Sequence, residues 1–495
     1  MKRVVVIGAG VGGLATAARL AKAGYGVTVL EKTGRPGGRM STIQEEGYTF
    51  DTGPSLFLMP ATYRQTYEDL GVRMEDCLDL VQIDPTYRLH FHDGSTLSLS
   101  NDMIAMRDQL DAMEPGAFER LLRFLEQGCR RYNRSLESFV GRNFYTAGEY
   151  FSIANLPLLF QLKPLVKHYA DTSQYFRDPR LRAAFSFQNM YLGLSPYDAP
   201  ATYSLLQYTE LAEGVWYPRQ GMYEVVQSLL RLAEGYGARF LFDAPVERID
   251  VEGSQTTGVT IAGGERVPAD VVIANADLPY VYDRLLPGDP SAPGIQRLKH
   301  TSSALMFYWG VRGERSPQLL HHNVFLSEHE YESSFREIFY GHSLPAEPSF
   351  YIHAPVRTAP TFAPADHDAL MVLVPTGHLD TEQNQDWPAL QDRARKWVVE
   401  RLAGIGVPDV AGRITFERTI TPPDYREVWN LSKGAAFGLS HNLTQVGYLR
   451  PRNRHKAYGN LYFVGASTHP GTGVPLVMLS AKLVAERVEK EQPAA

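Results

Sequence analysis

Four glycines, Gly8, Gly10, Gly12 and Gly13, fall within the six residues Gly8-Ala9-Gly10-Val11-Gly12-Gly13, and a carboxylate, Glu31, and the triplet Gly37-Gly38-Arg39 follow them. A turn of this composition suits a pyrophosphate. Gly8 permits the sharp turn, Gly10 lets the backbone approach phosphate with no Cβ in the way, and Gly13 lets a helix pack closely on a strand. The N–H groups and positive dipole end of that helix then face the anion. Glu31 is spaced to accept hydrogen bonds from the adenosine ribose hydroxyls, where a 2′-phosphate would require a basic residue instead. Arg39 supplies a permanently charged, multidentate phosphate partner. Together these residues point to FAD rather than a nicotinamide dinucleotide. Near the other end of the chain, the loop Gly465-Ala466-Ser467-Thr468-His469-Pro470-Gly471-Thr472-Gly473-Val474-Pro475 can bring backbone N–H groups against an anion or a flavin ring.

These residues need particular elements to hold them. The β-branched, apolar run Arg3 to Ile7 predicts a buried parallel strand, Leu14 to Ala23 a packed helix, and Val27 to Leu30 a second strand ending at Glu31. Leu461 to Val464, the glycine-rich loop and a helix from Leu476 to Lys490 repeat that logic. If both ends build one cofactor unit, the middle is inserted into it, and the domains interleave. The expected fold class is α/β: a Rossmann-like FAD-binding domain, an interleaved α+β substrate domain, and a helical segment able to associate with a membrane. The expected FAD-binding parts are 1–95, 215–285 and 446–495, with a helical, membrane-associating substrate region at 96–214 and a second substrate part at 286–445. Residues 105–170 carry a helical pattern, punctuated at Glu114-Pro115-Gly116, with Phe118, Leu121, Leu122 and Leu125 on one face. Strands are expected at Ala238 to Phe242, Val246 to Val251, Val259 to Ala262 and Asp270 to Ala274, with a turn at Gly263-Gly264.

Composition removes several classes. A chain of 495 residues, 44% of them hydrophobic, exceeds what one core organises. A net charge of -6 offers no basic surface for nucleic acid. Cys77 and Cys129 lie in no C-x-x-C context, so neither a disulfide framework nor a thiol redox centre is indicated. The pairs His90/His92 and His321/His322 lack metal-ligand spacing and read as strand or loop surface, so no metal is expected. Lys2 and Arg3 before an apolar stretch imitate a secretory signal, but the glycine positions and the continuation to Glu31 oppose that reading. With no run of roughly 18 apolar residues, a cytoplasmic protein is expected, or one bound to a membrane surface from that side. The 27 tyrosines and 23 phenylalanines, many between about 130 and 360, could wall an apolar cavity.

Taken together the chain resembles the FAD-dependent phytoene desaturases of the bacterial and fungal type, within the amine-oxidase-like flavoproteins. The likeness rests on Val6 to Gly13, on Glu31 through Pro36-Gly37-Gly38-Arg39, on Phe50-Asp51-Thr52-Gly53-Pro54-Ser55, on Trp216-Tyr217-Pro218 and on Leu461 to Pro475. Weaker likeness extends to Gly193 through Pro200, Ala274 through Asp277, and Tyr351 through Pro355. Gln220 departs from the Gly-Gly pair usual before Met222. The resemblance implies a cofactor-binding set of Gly8, Gly10, Gly12, Gly13, Glu31, Lys32, Gly38, Arg39, Gly53, Pro54, Ser55, Val246, Gly465, Thr472, Gly473 and Val474. In that set Arg39 lies beside the phosphates or the ribityl chain, Val246 uses its backbone near the adenine, and Gly465 to Val474 lie along the ribityl chain and flavin. It also implies a carotenoid substrate, with quinone or oxygen as electron acceptor.

Dehydrogenating an allylic CH2–CH2 removes a hydride and a proton from a molecule with no polar handle, so flavin carries the oxidation and the protein supplies placement and dryness. No catalytic acid or base is assigned; Asp198 and His353 read as structural. For docking to a membrane, Phe151 to Tyr169 combines Leu156-Pro157-Leu158-Leu159-Phe160 and Leu165-Val166 with Lys163, Lys167 and His168, a composition that suits the bilayer interface. Other readings stay open at this point: a hydroxylated or C30 carotenoid as substrate, flavin-dependent isomerisation of a polyene, amine oxidation, and a non-catalytic lipid-binding protein comparable to the prenyl-binding GDP-dissociation inhibitors.

Overall fold

The run Arg3–Ile7 is the central strand of a five-stranded parallel sheet in the computed structural model, which describes residues 1–153, 155–380, 382–383 and 385–494. The strand order is Leu461–Phe463, Val271–Ala274, Arg3–Ile7, Gly26–Leu30, Arg239–Leu241. Alternate residues of the central strand enter different cores, as the two-residue period requires. Val4 and Val6 meet the helices Val11–Lys22, Tyr223–Gly235 and Val474–Glu491, whereas Val5 and Ile7 meet Ile249 and Val259. Burial on both faces explains the unbroken apolar run. The second face is covered by the antiparallel strands Val246–Glu252, Gln255–Ile261 and Arg266–Pro268 rather than by a further helix layer.

A seven-stranded mixed sheet forms the other half, in the order Ile414–Ile420, Ser303–Arg312, His367–Thr376, Phe350–His353, His322–Phe325, Tyr87–His90, Thr96–Leu99. The expected boundary between residues 95 and 96 is corrected here: it cuts the hairpin in which Tyr87 pairs with Leu99 and His90 with Thr96. That hairpin belongs to this sheet because His322–Phe325 pairs with Tyr87–His90, burying Tyr87, Leu89, Leu97 and Leu99 against the helical region.

In that region the helix Ala117–Ser135 buries Ala117, Leu121, Phe124, Gly128 and Arg131. At 100° per residue, Leu122 turns outward and is 46% exposed, so Phe124 takes the core place expected of it. Arg131 is buried and donates to the Asp171 carboxylate at 2.7 Å, to the Ala201 carbonyl at 2.8 Å and to Ser204 Oγ at 2.6 Å. Burial pushes the Asp171 carboxyl up, but Arg131 and Lys163 outweigh it and hold it below the usual carboxylate range. His168 is fully buried against Asn189, not at an interface as expected, and Lys163 is tied to Asp171 at 3.0 Å. The side chains of Leu156, Leu159 and Phe160 lie outside the described residues. Among the described residues no helix is long and apolar enough to cross a membrane.

Candidate cofactor and substrate site

The glycines at the end of the central strand are spaced by contacts, each of which excludes a side chain. Gly8 has φ +94°, and a Cβ there would lie 2.7 Å from the Asn275 carbonyl oxygen. A Cβ on Gly12 would lie 2.7 Å from Asn275 Oδ1 and 3.0 Å from Val477, and one on Gly13 would overlap the Gly8 carbonyl oxygen. Asn275, whose Nδ2 donates to the Gly8 carbonyl at 3.2 Å, thus ties the first turn to the neighbouring strand. It also lies 3.3 Å from where a Gly465 Cβ would be, so one side chain sets the spacing of both glycine loops. The helix Val11–Lys22 begins at Gly10 and the helix Val474–Glu491 at Gly473, each without a side-chain cap. The two helices pack together, and the residues that open them line one cavity of about 1310 Å³.

Gly8, Gly10, Gly12, Glu31, Lys32, Gly38, Arg39, Gly53, Pro54, Ser55, Val246, Gly465, Thr472, Gly473 and Val474 all line this cavity; Gly13 lies behind the wall, where helix and strand touch. The Glu31 carboxylate accepts from the Ala9 amide at 2.7 Å and from the Thr33 amide and hydroxyl at 2.9 Å each. Arg39 donates to the Ala436 carbonyl at 2.7 Å. Lys32 is exposed and its ammonium donates to the Glu427 carbonyl at 2.7 Å and to Asn430 Oδ1 at 3.1 Å, holding the end of the helix Pro422–Trp429. Gly53 passes so near the Arg39 carbonyl oxygen that a Cβ would overlap it. Asp51 fixes this loop by accepting from Tyr217 Oη at 2.6 Å and from the Met222 and Tyr223 amides at 3.0 and 3.2 Å. Burial pushes its carboxyl up to about 6 against those three hydrogen bonds. Gln220 is exposed, and the turn closes on Gly221, whose amide donates to the Pro218 carbonyl at 2.8 Å. A cradle whose glycines a Cβ would fill, two uncapped helix starts and an acid beside the first turn fit a dinucleotide.

Three residues that sequence reasoning did not assign shape the rest of the wall. Arg450 is 2% exposed and its guanidinium donates to the carbonyls of Leu439, Ser440, Gln445, Ala466 and Thr468. His441 Nε2 accepts from the Thr472 amide at 3.0 Å, placing the glycine-rich loop. Tyr351, lining the cavity, shares its hydroxyl with Ser55 Oγ at 2.8 Å and His322 Nδ1 at 2.6 Å. A basic residue in a loop looks like surface until the loop folds back over it, so nothing in the sequence marked Arg450.

The histidine pairs need correction. His90, His321 and His322 are buried, not surface, and only His92 is exposed. His90 stacks on Phe325 with ring centroids 4.4 Å apart. His321, His322 and His353 come together because His322 pairs with His353 across adjacent strands. His353 Nε2 lies 3.0 Å from His321 Nε2, and one ring nitrogen from each of the three histidines lies within 4.8 Å of the others. Asp198 accepts from the Tyr340 hydroxyl at 2.9 Å and does not line the cavity.

The cavity extends from the glycine loops to a wall of Phe187, Met190, Tyr191, Leu206, Phe335 and Leu373. It is larger than the roughly 300–1,000 Å³ of most small-molecule sites. Its rim carries exposed apolar side chains, among them Phe151 at 50%, Leu443 at 38% and Leu449 at 56%.

The family model for flavin-containing amine oxidoreductases matches residues 11–489. The zeta-carotene-forming phytoene desaturase of Myxococcus xanthus is 47% identical over 98% of this chain and 94% of its own length. The phytoene desaturase of Phycomyces blakesleeanus is 42% identical over 98% of this chain and 85% of its own. Among solved structures, an oxidoreductase of Methanosarcina mazei superposes with a TM-score of 0.67 at 17% identity, covering 98% of this chain and 100% of that one, a likeness of fold alone.

Proposed function

The chain belongs to the flavin-containing amine oxidoreductase family, among the FAD-dependent phytoene desaturases, and from that premise we propose that it removes hydrogen from phytoene at a membrane surface. It is an FAD-dependent carotenoid desaturase, an oxidoreductase acting on a CH–CH unit. The observation that carries the substrate reading is the single cavity joining the glycine cradle to an apolar, aromatic wall. The two relatives that act on phytoene support the choice of that substrate over the other carotenoids.

The cofactor half is read as Rossmann-like, with the first, third and last parts of the chain forming one cofactor unit. Bound FAD supplies the acceptor for the hydride taken from the allylic carbon. The amides that open the two helices would hold the phosphates, with the Arg39 guanidinium beside them, Glu31 would receive the adenosine ribose, and the Val246 backbone would face the adenine. Ser55, held by the Tyr351 hydroxyl, lines the same cavity. Apolar side chains hold the substrate and exclude water, which suits a molecule with no polar handle. Quinone or oxygen takes the electrons afterwards, and the protein works from the cytoplasmic side.

Membrane docking fits the rim. Phe151, Ile153 and Leu165 are 50%, 87% and 80% exposed, and Phe151 lines the cavity with its ring 6.0 Å from that of Tyr448. Replacing these three by aspartate is expected to lower binding to liposomes by on the order of a hundredfold or more, with FAD content unchanged. Sedimentation with vesicles reads this directly; unchanged binding would remove this surface from the model of docking.

Incubating the FAD-loaded protein with phytoene in liposomes is expected to give more unsaturated, coloured products by chromatography. Conversion of a hydroxylated or C30 carotenoid with phytoene untouched would overturn the phytoene reading.

A further inference from the structure

A line of hydrogen bonds runs from the cavity wall to a carboxyl that is 0% exposed. The Tyr191 hydroxyl donates to the Tyr87 hydroxyl at 2.7 Å, and Tyr87 donates to Glu210 Oε1 at 3.2 Å. Gln188 Nε2 donates to Glu210 Oε2 at 3.1 Å and is itself held by Gln207, whose Nε2 donates to its carbonyl oxygen at 2.7 Å. Tyr191 lines the cavity; Glu210 does not. Resting on the desaturase reading above, we propose that Tyr191, Tyr87 and Glu210 form the proton exit of the reaction, with Tyr191 facing the substrate and Glu210 as the final acceptor.

The step balances as follows. One allylic hydrogen leaves the –CH2–CH2– unit with both electrons of its C–H bond, to bound FAD. The adjacent C–H bond gives its electron pair to the new carbon–carbon double bond and its proton to the Tyr191 oxygen. At the same time the Tyr191 hydroxyl proton passes to Tyr87, and that of Tyr87 passes to the Glu210 carboxylate. The line runs backwards to water once product has left the cavity.

Both hydroxyls already donate toward the carboxylate, so no side chain has to turn before the proton moves. The line is also connected to the cradle. The Tyr87 ring lies 5.6 Å from the His322 ring, and His322 and Ser55 share the Tyr351 hydroxyl. The relay is therefore linked to Ser55 through His322 and Tyr351. Glu210 sits in the π-helical turn Thr209–Glu213, a distortion frequent at functional sites.

The alternative acceptor, His441, spends Nε2 on Thr472, and burial together with the Arg450 cation holds it well below the ordinary imidazole range. Around Glu210 stand Tyr87 from the strand Tyr87–His90, Gln188 and Tyr191 from the turn Phe187–Leu192, and Gln207 from the short helix Leu205–Tyr208. Behind Tyr87, burial and the neighbouring His321 and His353 keep His322 well below its ordinary value, so it stays neutral. Burial pushes the Glu210 carboxyl up to about 7 against the hydrogen bonds from Tyr87 and Gln188, which suits proton transfer near neutral pH.

The test compares FAD-loaded wild type, Glu210→Gln and Tyr191→Phe on phytoene liposomes, with flavin content and bound phytoene measured alongside. Each variant is expected to lose about a hundredfold or more in rate while keeping flavin and substrate. Because the carboxylate is the accepting form, the wild-type rate should rise with pH through about 7, and Glu210→Gln should lose that limb. An infrared carboxylic-acid band should titrate over the same range in wild type and be missing from Glu210→Gln. Wild-type rate and pH limb in Glu210→Gln would overturn the relay alone. A wild type that leaves every carotenoid unchanged would overturn the desaturase reading. Should Glu210→Gln fail to take up FAD, Tyr191→Phe decides by the same two outcomes.

Discussion

Replacing Arg450 by alanine is expected to cost the fold on the order of 5 kcal/mol and to yield protein with little or no FAD. The guanidinium is enclosed by carbonyl oxygens from two stretches, Leu439, Ser440 and Gln445 on one side and Ala466 and Thr468 on the other. Its charge is compensated by those dipoles, and burial pulls its pKa down to about 10. Without it, carbonyls of both stretches are left buried without that donor, at about 1–3 kcal/mol for each that finds no partner. The second stretch is the start of the glycine-rich loop, and the first leads to His441, which holds Thr472 at 3.0 Å. Loss of stability and loss of cofactor should therefore arrive together. Arg450→Lys should rescue neither, because an ammonium offers three donors from a single point and cannot span both stretches. Denaturant titration and the flavin content of purified protein measure the two effects. An alanine variant with wild-type stability and full flavin would show that the loop holds itself.

Glu31→Ala is expected to weaken FAD binding by about a hundredfold or more through the loss of charge-assisted hydrogen bonds worth about 1.5–3 kcal/mol each. The carboxylate has two tasks in the structure. It accepts from the Ala9 amide inside the glycine turn, and it orders Thr33 beside the cavity. Alanine leaves the Ala9 amide unpartnered, so the turn itself should loosen. Glu31→Gln keeps one acceptor for Ala9 but turns an NH2 group toward the Thr33 donors, and should fall between wild type and alanine. Titration of apoprotein with FAD, followed by flavin fluorescence, gives the three dissociation constants. Equal constants in all three would mean that Glu31 serves the protein turn alone.

Much of the cofactor cradle was legible in the sequence because its requirements are local. A glycine is needed wherever a Cβ would strike backbone, and Gly8, Gly13 and Gly53 each meet such a contact. Strand, turn and helix follow one another without interruption, so spacing alone located Glu31. The substrate side was less legible. Leu122 was read into a helical face from which it turns away, and Phe124 was missed, because an apolar residue one position off the stripe changes periodicity little. His321 and His322 read as surface because adjacent histidines carry no sign of the strand that will cover them. The division at residues 95 and 96 failed for the same reason: a hairpin's sheet is chosen by its partner, His322–Phe325, far along the chain.

What the sequence determined by itself was the chemistry that needs short-range geometry: two glycine-rich turns, an acid after the second strand, and an arginine after a glycine pair. Those features call for a dinucleotide site because backbone sterics and hydrogen-bond reach act over a few residues. What only the tertiary structure decided was which distant groups meet. Asn275 bridging Gly8 and Gly465, Arg450 gathering two loops, and Glu210 reached from the cavity through Tyr191 and Tyr87 all join residues whose separation along the chain carries no local signal. Each depends on side chains buried by packing between elements, and burial of that kind exists only once the sheets and helices have closed around them.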